Sequence, residues 1–258
     1  EKRGAKMLGL GAFTSVVGDA GVSIAKGLDI PVTTGDAFTV AIAVEAIREA
    51  ANLMGIDLAK ATAAVVGAGG SIGRVCAEFL ADDVQELYLL GRRPEPLEKL
   101  KEKLELSAFA KLHTGTDLSL LRDADLILTV TSAVHEEVLR PEHLRSGSVI
   151  CDVARPRDVS AMVAAERDDI LVIDGGMVDI PGAVDFHFDF GFPEGKAYAC
   201  MAETMALALE GRFEDYTLGK DISRSRVEEI AAIAKKHGFR LSGFRSFEKE
   251  VTKAQIES

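Results

Sequence analysis

The apolar residues of this chain fall into two periodicities. Between Asp36 and Met54 they recur at helical spacing, at Phe38, Ile42, Val44, Ile47, Ala51 and Met54, and Gly55 supplies a stop. From residue 63 onward the pattern changes to short, near-continuous apolar runs separated by helical stretches. Residues 63–66, 87–90, 126–130, 148–153 and 170–173 read as strands, and 72–81 and 95–106 read as helices between them. Strands that do not alternate apolar with polar are buried on both faces. Such strands alternating with helices signal a parallel sheet covered on both sides. The predicted fold is therefore α/β, a doubly wound parallel sheet of the Rossmann type.

The flanks read differently. Gly9-Leu10-Gly11-Ala12-Phe13-Thr14-Ser15 is small and polar and suggests a loop and turn. Val32-Thr33-Thr34-Gly35-Asp36 is β-branched and then breaks at glycine, like a short strand or a cap. Between Gly175 and Gly195 the residues Phe186, Phe188, Phe190 and Phe192 alternate strictly, which fits a strand with one apolar face or a loop closing over a site. Helices are expected over 197–209 and 223–237. The predicted organisation is an N-terminal segment over 1–60, a dinucleotide domain over 61–178, and a C-terminal loop with helices over 179–258. The two flanks together would build a smaller helical lobe that carries the substrate.

Bulk composition narrows the class. With 258 residues, 47% of them hydrophobic, the chain can bury a large core. A formal net charge of −11 argues against nucleic acid and anionic membrane surfaces as partners. Cys76, Cys151 and Cys200 are widely spaced and form no CxxC pair, so neither a disulfide framework nor a zinc cluster is expected. That usage suits a reducing, cytoplasmic compartment. No apolar stretch approaches the roughly 20 residues of a membrane span, and no signal peptide opens the chain. The chain begins at Glu1 rather than methionine, as a fragment of a longer protein would. The sequence leaves a homo-oligomer open.

The sharpest motif is Gly67-Ala68-Gly69-Gly70-Ser71-Ile72-Gly73, which follows a predicted strand and opens a predicted helix. Gly67 permits the tight turn, and Gly69 and Gly70 let backbone approach a pyrophosphate with no Cβ in the way. Gly73 lets the helix pack close to the sheet. The spacing is GxGxxxG rather than GxGxxG. The helix start, at Ser71 and Ile72, offers free N–H groups and a positive dipole end to phosphates. The next strand ends at Gly91-Arg92-Arg93, where an NAD site places an acidic residue for the ribose hydroxyls. Two guanidinium groups match a 2′-phosphate instead, so NADP(H) is favoured over NAD(H). The third strand delivers Thr131-Ser132-Ala133 to the nicotinamide side, and Gly175 and Gly176 follow a later strand toward the same crevice. No metal is expected, because no histidine has a partner at ligand spacing.

For chemistry the candidate is Cys200, placed in the first turn of a predicted helix. There the dipole and free N–H groups lower a thiol pKa, and a thiolate could attack a thioester carbonyl. A cysteine in an Ala- and Met-rich helix also reads as a small core residue. Cys76 and Cys151 read as packing. Tyr216 and Lys220 have YxxxK spacing, but they come too late in the order and Gly219 breaks the helix they would need.

Several stretches taken in order resemble one family, the long-chain acyl-(acyl carrier protein) reductases that yield fatty aldehydes. They are Gly11-Ala12-Phe13-Thr14-Ser15-Val16-Val17, Thr33-Thr34-Gly35-Asp36, Leu53-Met54-Gly55-Ile56-Asp57-Leu58, Asp174-Gly175-Gly176-Met177-Val178, Ala199-Cys200-Met201-Ala202-Glu203, Leu209-Glu210-Gly211-Arg212 and Lys236-His237-Gly238-Phe239. The resemblance implies NADPH-dependent reduction of a fatty acyl thioester, on acyl carrier protein or CoA, through an acyl-enzyme. Cys200 matches the family's nucleophile, and the glycine turn with Arg92 and Arg93 matches its NADPH site. The family carries a further N-terminal region that is absent before Glu1. An acidic carrier would need a local basic face, for which Arg212, Arg224, Arg226, Lys235, Lys236 and Arg240 are the candidates. Two other readings remain open. One is a different NADP-dependent dehydrogenase of shikimate-dehydrogenase-like architecture, whose Lys/Asp pair has no counterpart here. The other is a non-catalytic NADP(H)-binding module.

Overall fold

A computed structural model describes residues 3–11, 18–132, 138–188, 191, 193–246 and 249–251. The chain forms two compact units. One comprises Ala43–Gly175 with the described residues from Gly243 onward, and the other comprises the described residues up to Ile42 with Gly176–Ser242.

The first elements are β1 (Leu8–Gly9), α1 (Val22–Lys26), β2 (Val32–Thr33) and α2 (Asp36–Leu53). The large unit is built on six parallel strands: β3 (Thr62–Val66), β4 (Glu86–Leu90), β5 (Lys111–Gly115), β6 (Leu126–Thr129), β7 (Val149–Asp152) and β8 (Leu171–Asp174). Their spatial order is β5-β4-β3-β6-β7-β8. The order reverses between β3 and β6, which makes that pair the switch point of a doubly wound sheet. Helices α3 (Ser71–Leu80) and α4 (Pro94–Leu104) supply the crossovers after β3 and β4.

Composition explains these elements. Ala63, Ala64, Val65 and Val66 are all buried, as a strand covered on both faces requires. In α4, Leu97, Leu100 and Leu104 form one buried stripe while its Glu and Lys residues face out. The core between sheet and crossovers contains Val66, Leu90, Leu121, Ile127, Ile150 and Val172. β5 is an edge strand that the apolar pattern did not reveal. Of Lys111-Leu112-His113-Thr114-Gly115 only Leu112 is buried, and His113 stacks on Tyr88 at 4.7 Å.

Register fixes the working edge of the sheet. Gly115 pairs with Leu90, Leu90 with Val66, Val66 with Thr129, Thr129 with Asp152, and Asp152 with Asp174. The carboxyl ends of all six strands therefore finish in one row, and whatever follows each strand is delivered to the same edge.

After β7 comes α5 (Ala161–Glu166), capped by the Ser160 hydroxyl accepting from the Met162 N–H at 3.1 Å. The second unit contains β9 (Met177–Asp179), β10 (Lys196–Tyr198), α6 (Ala199–Glu210), α7 (Arg224–Lys236) and β11 (Arg240–Leu241), and the last elements among the described residues are the antiparallel pair β12 (Arg245–Ser246) and β13 (Lys249–Glu250), which belong to the large unit. The flanking lobe thus has its predicted helices and, in addition, a parallel pair β1–β2 and an antiparallel sheet β10-β9-β11. Phe186 and Phe188 lie in irregular chain rather than in a strand, and Phe190 and Phe192 are outside the described residues. No helix among the described residues is long and apolar enough to cross a membrane.

Candidate functional site

The glycine turn joins β3 to α3. Gly67 has φ +91°, and a Cβ built on it would stand 2.6 Å from the Val130 carbonyl oxygen. Its N–H and that of Ala68 donate to the Leu90 carbonyl at 2.9 and 3.1 Å. The turn is thereby tied to the ends of both β4 and β6. A Cβ on Gly73 would collide with the Gly67 backbone, and one on Gly69 would reach Pro96 at 3.3 Å. Gly70 is the N-cap of α3 and offers no side-chain cap, and the first turn contains no acidic residue. The first-turn N–H groups at Ser71, Ile72 and Gly73 follow a glycine-rich turn and have neither a side-chain cap nor an acidic neighbour in that turn, which suits a pyrophosphate. The residues present therefore fit a dinucleotide.

Arg92 and Arg93 follow β4 immediately and are exposed, with Arg93 at the N-cap of α4. No carboxylate occupies this strand end. Across the switch point, Thr131 and Ser132 follow β6, and Ala133 is outside the described residues. Thr131 is held by a residue the sequence reading missed. Buried Asp158 accepts from the Thr129 hydroxyl at 2.6 Å, the Thr131 N–H at 2.8 Å and the Thr131 hydroxyl at 2.5 Å. Asp158 lies in an irregular segment after β7, and no local pattern marked it. The same segment places Arg157 on Asp174 as an ion pair. Gly175 is buried with its α-carbon against β7, where a Cβ would lie 2.5 Å from the Cys151 sulfur. Gly176 falls in the second unit, where its carbonyl accepts from the Ala199 N–H at 2.8 Å.

Cys200 stands in the first turn of α6, whose N-cap Tyr198 gives no side-chain cap. The turn between β2 and α2 is seated on it. Gly35 has φ +79°, and a Cβ there would lie 2.6 Å from the Cys200 Cβ and closer still to its Cα and carbonyl oxygen. Asp36, the next residue, opens α2 and is buried. One turn along α6, fully buried Glu203 accepts from the Thr33 hydroxyl, from the Phe38 N–H at 2.8 Å and from the Thr217 hydroxyl at 2.8 Å. These bonds tie β2, the start of α2 and the segment after α6 to one carboxylate.

Burial governs the ionisation here. It pushes the Glu203 carboxyl up. Burial, then the charge of Glu203, raises Asp36 to about 7. Burial, then the charge of Asp36, pushes the Cys200 thiol up to about 11, although the Met201 and Cys200 N–H groups pull the other way. The lowering expected from a helix start is thus reversed, because desolvation and two nearby carboxylates outweigh the first-turn N–H groups. Cys76 and Cys151 are fully buried, as their sequence contexts suggested. Asp36 and Glu203 appeared in the sequence only as parts of longer segments. The i, i+3 spacing of Cys200 and Glu203, which puts both on one helix face, could have flagged Glu203, whereas no local signal marked Asp36.

The shikimate / quinate 5-dehydrogenase family matches residues 48–174, which lie inside the large unit. Aminotransferase PigE of Serratia sp. is 33% identical over 262 residues, covering 98% of this chain and 30% of PigE. The long-chain acyl-[acyl-carrier-protein] reductase of Synechococcus elongatus is 30% identical over 253 residues, covering 93% of this chain and 72% of the reductase. The chain belongs to that reductase family. Glutamyl-tRNA reductase from Methanopyrus kandleri, a solved structure, matches with a TM-score of 0.42 and 25% identity over 50% of this chain and 34% of its own. The large unit of this family member is an NAD(P)(H)-binding domain of the shikimate-dehydrogenase type.

Other residues singled out in the sequence of this acyl-ACP reductase family member take structural places. The Tyr216 hydroxyl lies 2.9 Å from both Glu229 and the Arg226 carbonyl, while Lys220 is exposed in irregular chain. His237 bonds Glu210 at 2.6 Å, His187 is exposed beside Asp185, and His135 is outside the described residues. The basic face is largely neutralised. Arg212 pairs with Glu214 and Glu229, Arg224 with Glu228, Arg226 with Glu214, and Lys236 with Glu210.

Proposed function

We propose that the chain reduces a fatty acyl thioester, carried on acyl carrier protein or CoA, to an aldehyde with NADPH, using Cys200 as nucleophile. The observation that carries this reading is the seating of Cys200, in a first turn without a side-chain cap and packed against Gly35. It lies in a chain collinear with the Synechococcus reductase over 93% of its length. A partly exposed cysteine so placed can accept an acyl group, whereas Cys76 and Cys151 are sealed.

Gly67, Gly69, Gly70, Ser71, Ile72 and Gly73 would cradle the pyrophosphate. Arg92 and Arg93 would grip the 2′-phosphate. Thr131, fixed by Asp158, would line the nicotinamide side with Ser132 and Gly175. When bound, the reduced nicotinamide supplies the hydride such a reduction needs.

Two results are expected. Incubated with acyl-CoA, wild type gains one acyl mass and Cys200→Ser gains none. With NADPH added, the variant forms aldehyde roughly a thousandfold more slowly or worse. An intact-mass spectrum of wild type without the adduct, or a fully active Cys200→Ser, would sink the reading. Separately, truncating Arg92 and Arg93 to alanine weakens NADPH binding by about tenfold to a hundredfold, the span of a charged hydrogen bond worth about 1.5–3 kcal/mol. NADH binding stays unchanged. Fluorescence titration at fixed ionic strength checks both, and equal losses for the two cofactors would refute the arginine assignment.

A further inference from the structure

Two carboxylates act on Cys200, Asp36 from α2 and Glu203 from its own helix α6. They are not equivalent. Glu203 accepts from Thr33, Phe38 and Thr217, so its oxygens are occupied in holding three segments together. Asp36 is 4% exposed, and the neighbours that act on its carboxyl are the Thr34 hydroxyl and the charge of Glu203. Among the described residues no cation offsets its charge. A buried carboxylate without a counter-charge is costly, and such groups concentrate where a proton must be handled.

The chemistry proposed above has a matching need. A thiol pushed up to about 11 is almost wholly protonated at neutral pH, and the protonated form is a poor nucleophile. An acceptor must therefore take its proton during attack. Gly35 brings the chain against the backbone of Cys200, and the next residue, Asp36, is the first of α2, near enough for its charge to act on the thiol.

We propose that Asp36 is the proton acceptor for Cys200, taking the thiol proton as the sulfur attacks the acyl carbon of the incoming thioester. This rests on the acyl-thioester reading. The bond from Cys200 Sγ to the acyl carbon forms and the bond from that carbon to the carrier sulfur breaks. The proton held by Asp36 passes to the departing carrier thiolate. Asp36 ends the step as a carboxylate, and no oxidant or reductant is consumed. Its raised pKa, about 7, suits a group that must both take and return a proton near neutrality.

The test uses the full chain and two readouts. The first is the rate at which iodoacetamide alkylates Cys200, followed by peptide mass from pH 5 to 9.5. In wild type the rate rises through an inflection near pH 7. Asp36→Asn loses that inflection and reacts at least tenfold more slowly at pH 8, while Asp36→Glu restores part of it. If Asp36 merely repels a thiolate, Asp36→Asn reacts as fast as wild type or faster, and the proposal is overturned. The second readout is acylation by acyl-CoA. Wild-type acylation that survives Asp36→Asn at full rate also overturns the proposal and leaves the reductase reading standing. Wild type that takes no acyl group, with an alkylation profile still dependent on Asp36, removes the reductase reading and leaves the proton pair. Retained NADPH binding and an unchanged circular dichroism spectrum show that each variant is folded.

Discussion

Gly35→Ala is expected to unseat the start of α6. The substitution adds one methyl group at a backbone with φ +79°, a conformation that costs an L residue about 1–2 kcal/mol. The added Cβ would also stand 2.6 Å from the Cys200 Cβ and nearer its backbone, so a flexible side chain cannot simply step aside. Overpacking of this kind costs about 1–3 kcal/mol on its own. A total of roughly 3 kcal/mol or more is expected in a urea titration. Because what must yield is the first turn of α6, Cys200 should also become more reactive toward a neutral alkylating reagent. Gly27→Ala is the control. Its Cβ would meet only carbonyl oxygens at 3.6 Å, and its φ is −93°, so little change is expected there. Equal effects at the two glycines would show that the close approach to Cys200 does not matter.

The second large effect is a change in how stability depends on pH. Asp36 has its carboxyl raised from 3.8 to about 7 in the folded chain, by burial first and the charge of Glu203 second. A raised acid favours folding while it remains protonated. Its contribution is fully present below about pH 4 and is lost as pH rises through 7. At about 1.4 kcal/mol per pH unit, that window corresponds to about 4 kcal/mol. Asp36→Asn removes the titration. Relative to wild type the variant should gain stability steadily between pH 4 and 7, reach an advantage of up to about 4 kcal/mol at pH 8, and show none below pH 4. Urea midpoints at pH 4, 6 and 8 measure this directly. Parallel slopes for the two proteins would mean that Asp36 is not held in an uncompensated, buried state. Together with the alkylation test, the result would show a residue that weakens the fold near neutral pH while serving the chemistry, as functional sites commonly do.

Much of the nucleotide unit was legible in the sequence, for physical reasons that can be named. Strands such as Thr62–Val66 and Leu126–Thr129 are buried on both faces, so their apolar character survives into one dimension. The glycine turn was legible because each glycine answers a steric demand, and the collisions that a Cβ would make at Gly67 and Gly73 are those demands. β5 was not legible, since an edge strand with Leu112 as its sole buried residue leaves no apolar run. The Phe186 alternation fitted a strand or a loop, and of the two the structure has irregular chain at Phe186 and Phe188. Around Cys200 the sequence indicated the helix start but not the environment. The residues that set the thiol's ionisation lie far apart in the chain, with Asp36 on α2 and Glu203 on α6. Desolvation depends on everything that covers a group, and no local window contains it. Asp158 escaped notice for the same reason, because its three hydrogen bonds connect residues about thirty positions apart.

The burial of Cys76 and Cys151 has a practical consequence. Both sulfurs belong to the large unit and have thiols pushed well up, Cys76 to about 12, whereas Cys200 belongs to the other unit and is partly exposed. A thiol reagent applied to native protein will therefore mark Cys200 directly and the other two only when their surroundings open. The slow marking of Cys76 and Cys151, read residue by residue, becomes a clock for transient opening of the nucleotide unit. Its rate gives the free energy of that opening when closing outpaces the reagent. A dinucleotide that binds the closed form should slow the clock by the factor its concentration and affinity dictate. The chain thus contains its own cysteine gauge of cofactor binding, independent of whether any product is formed.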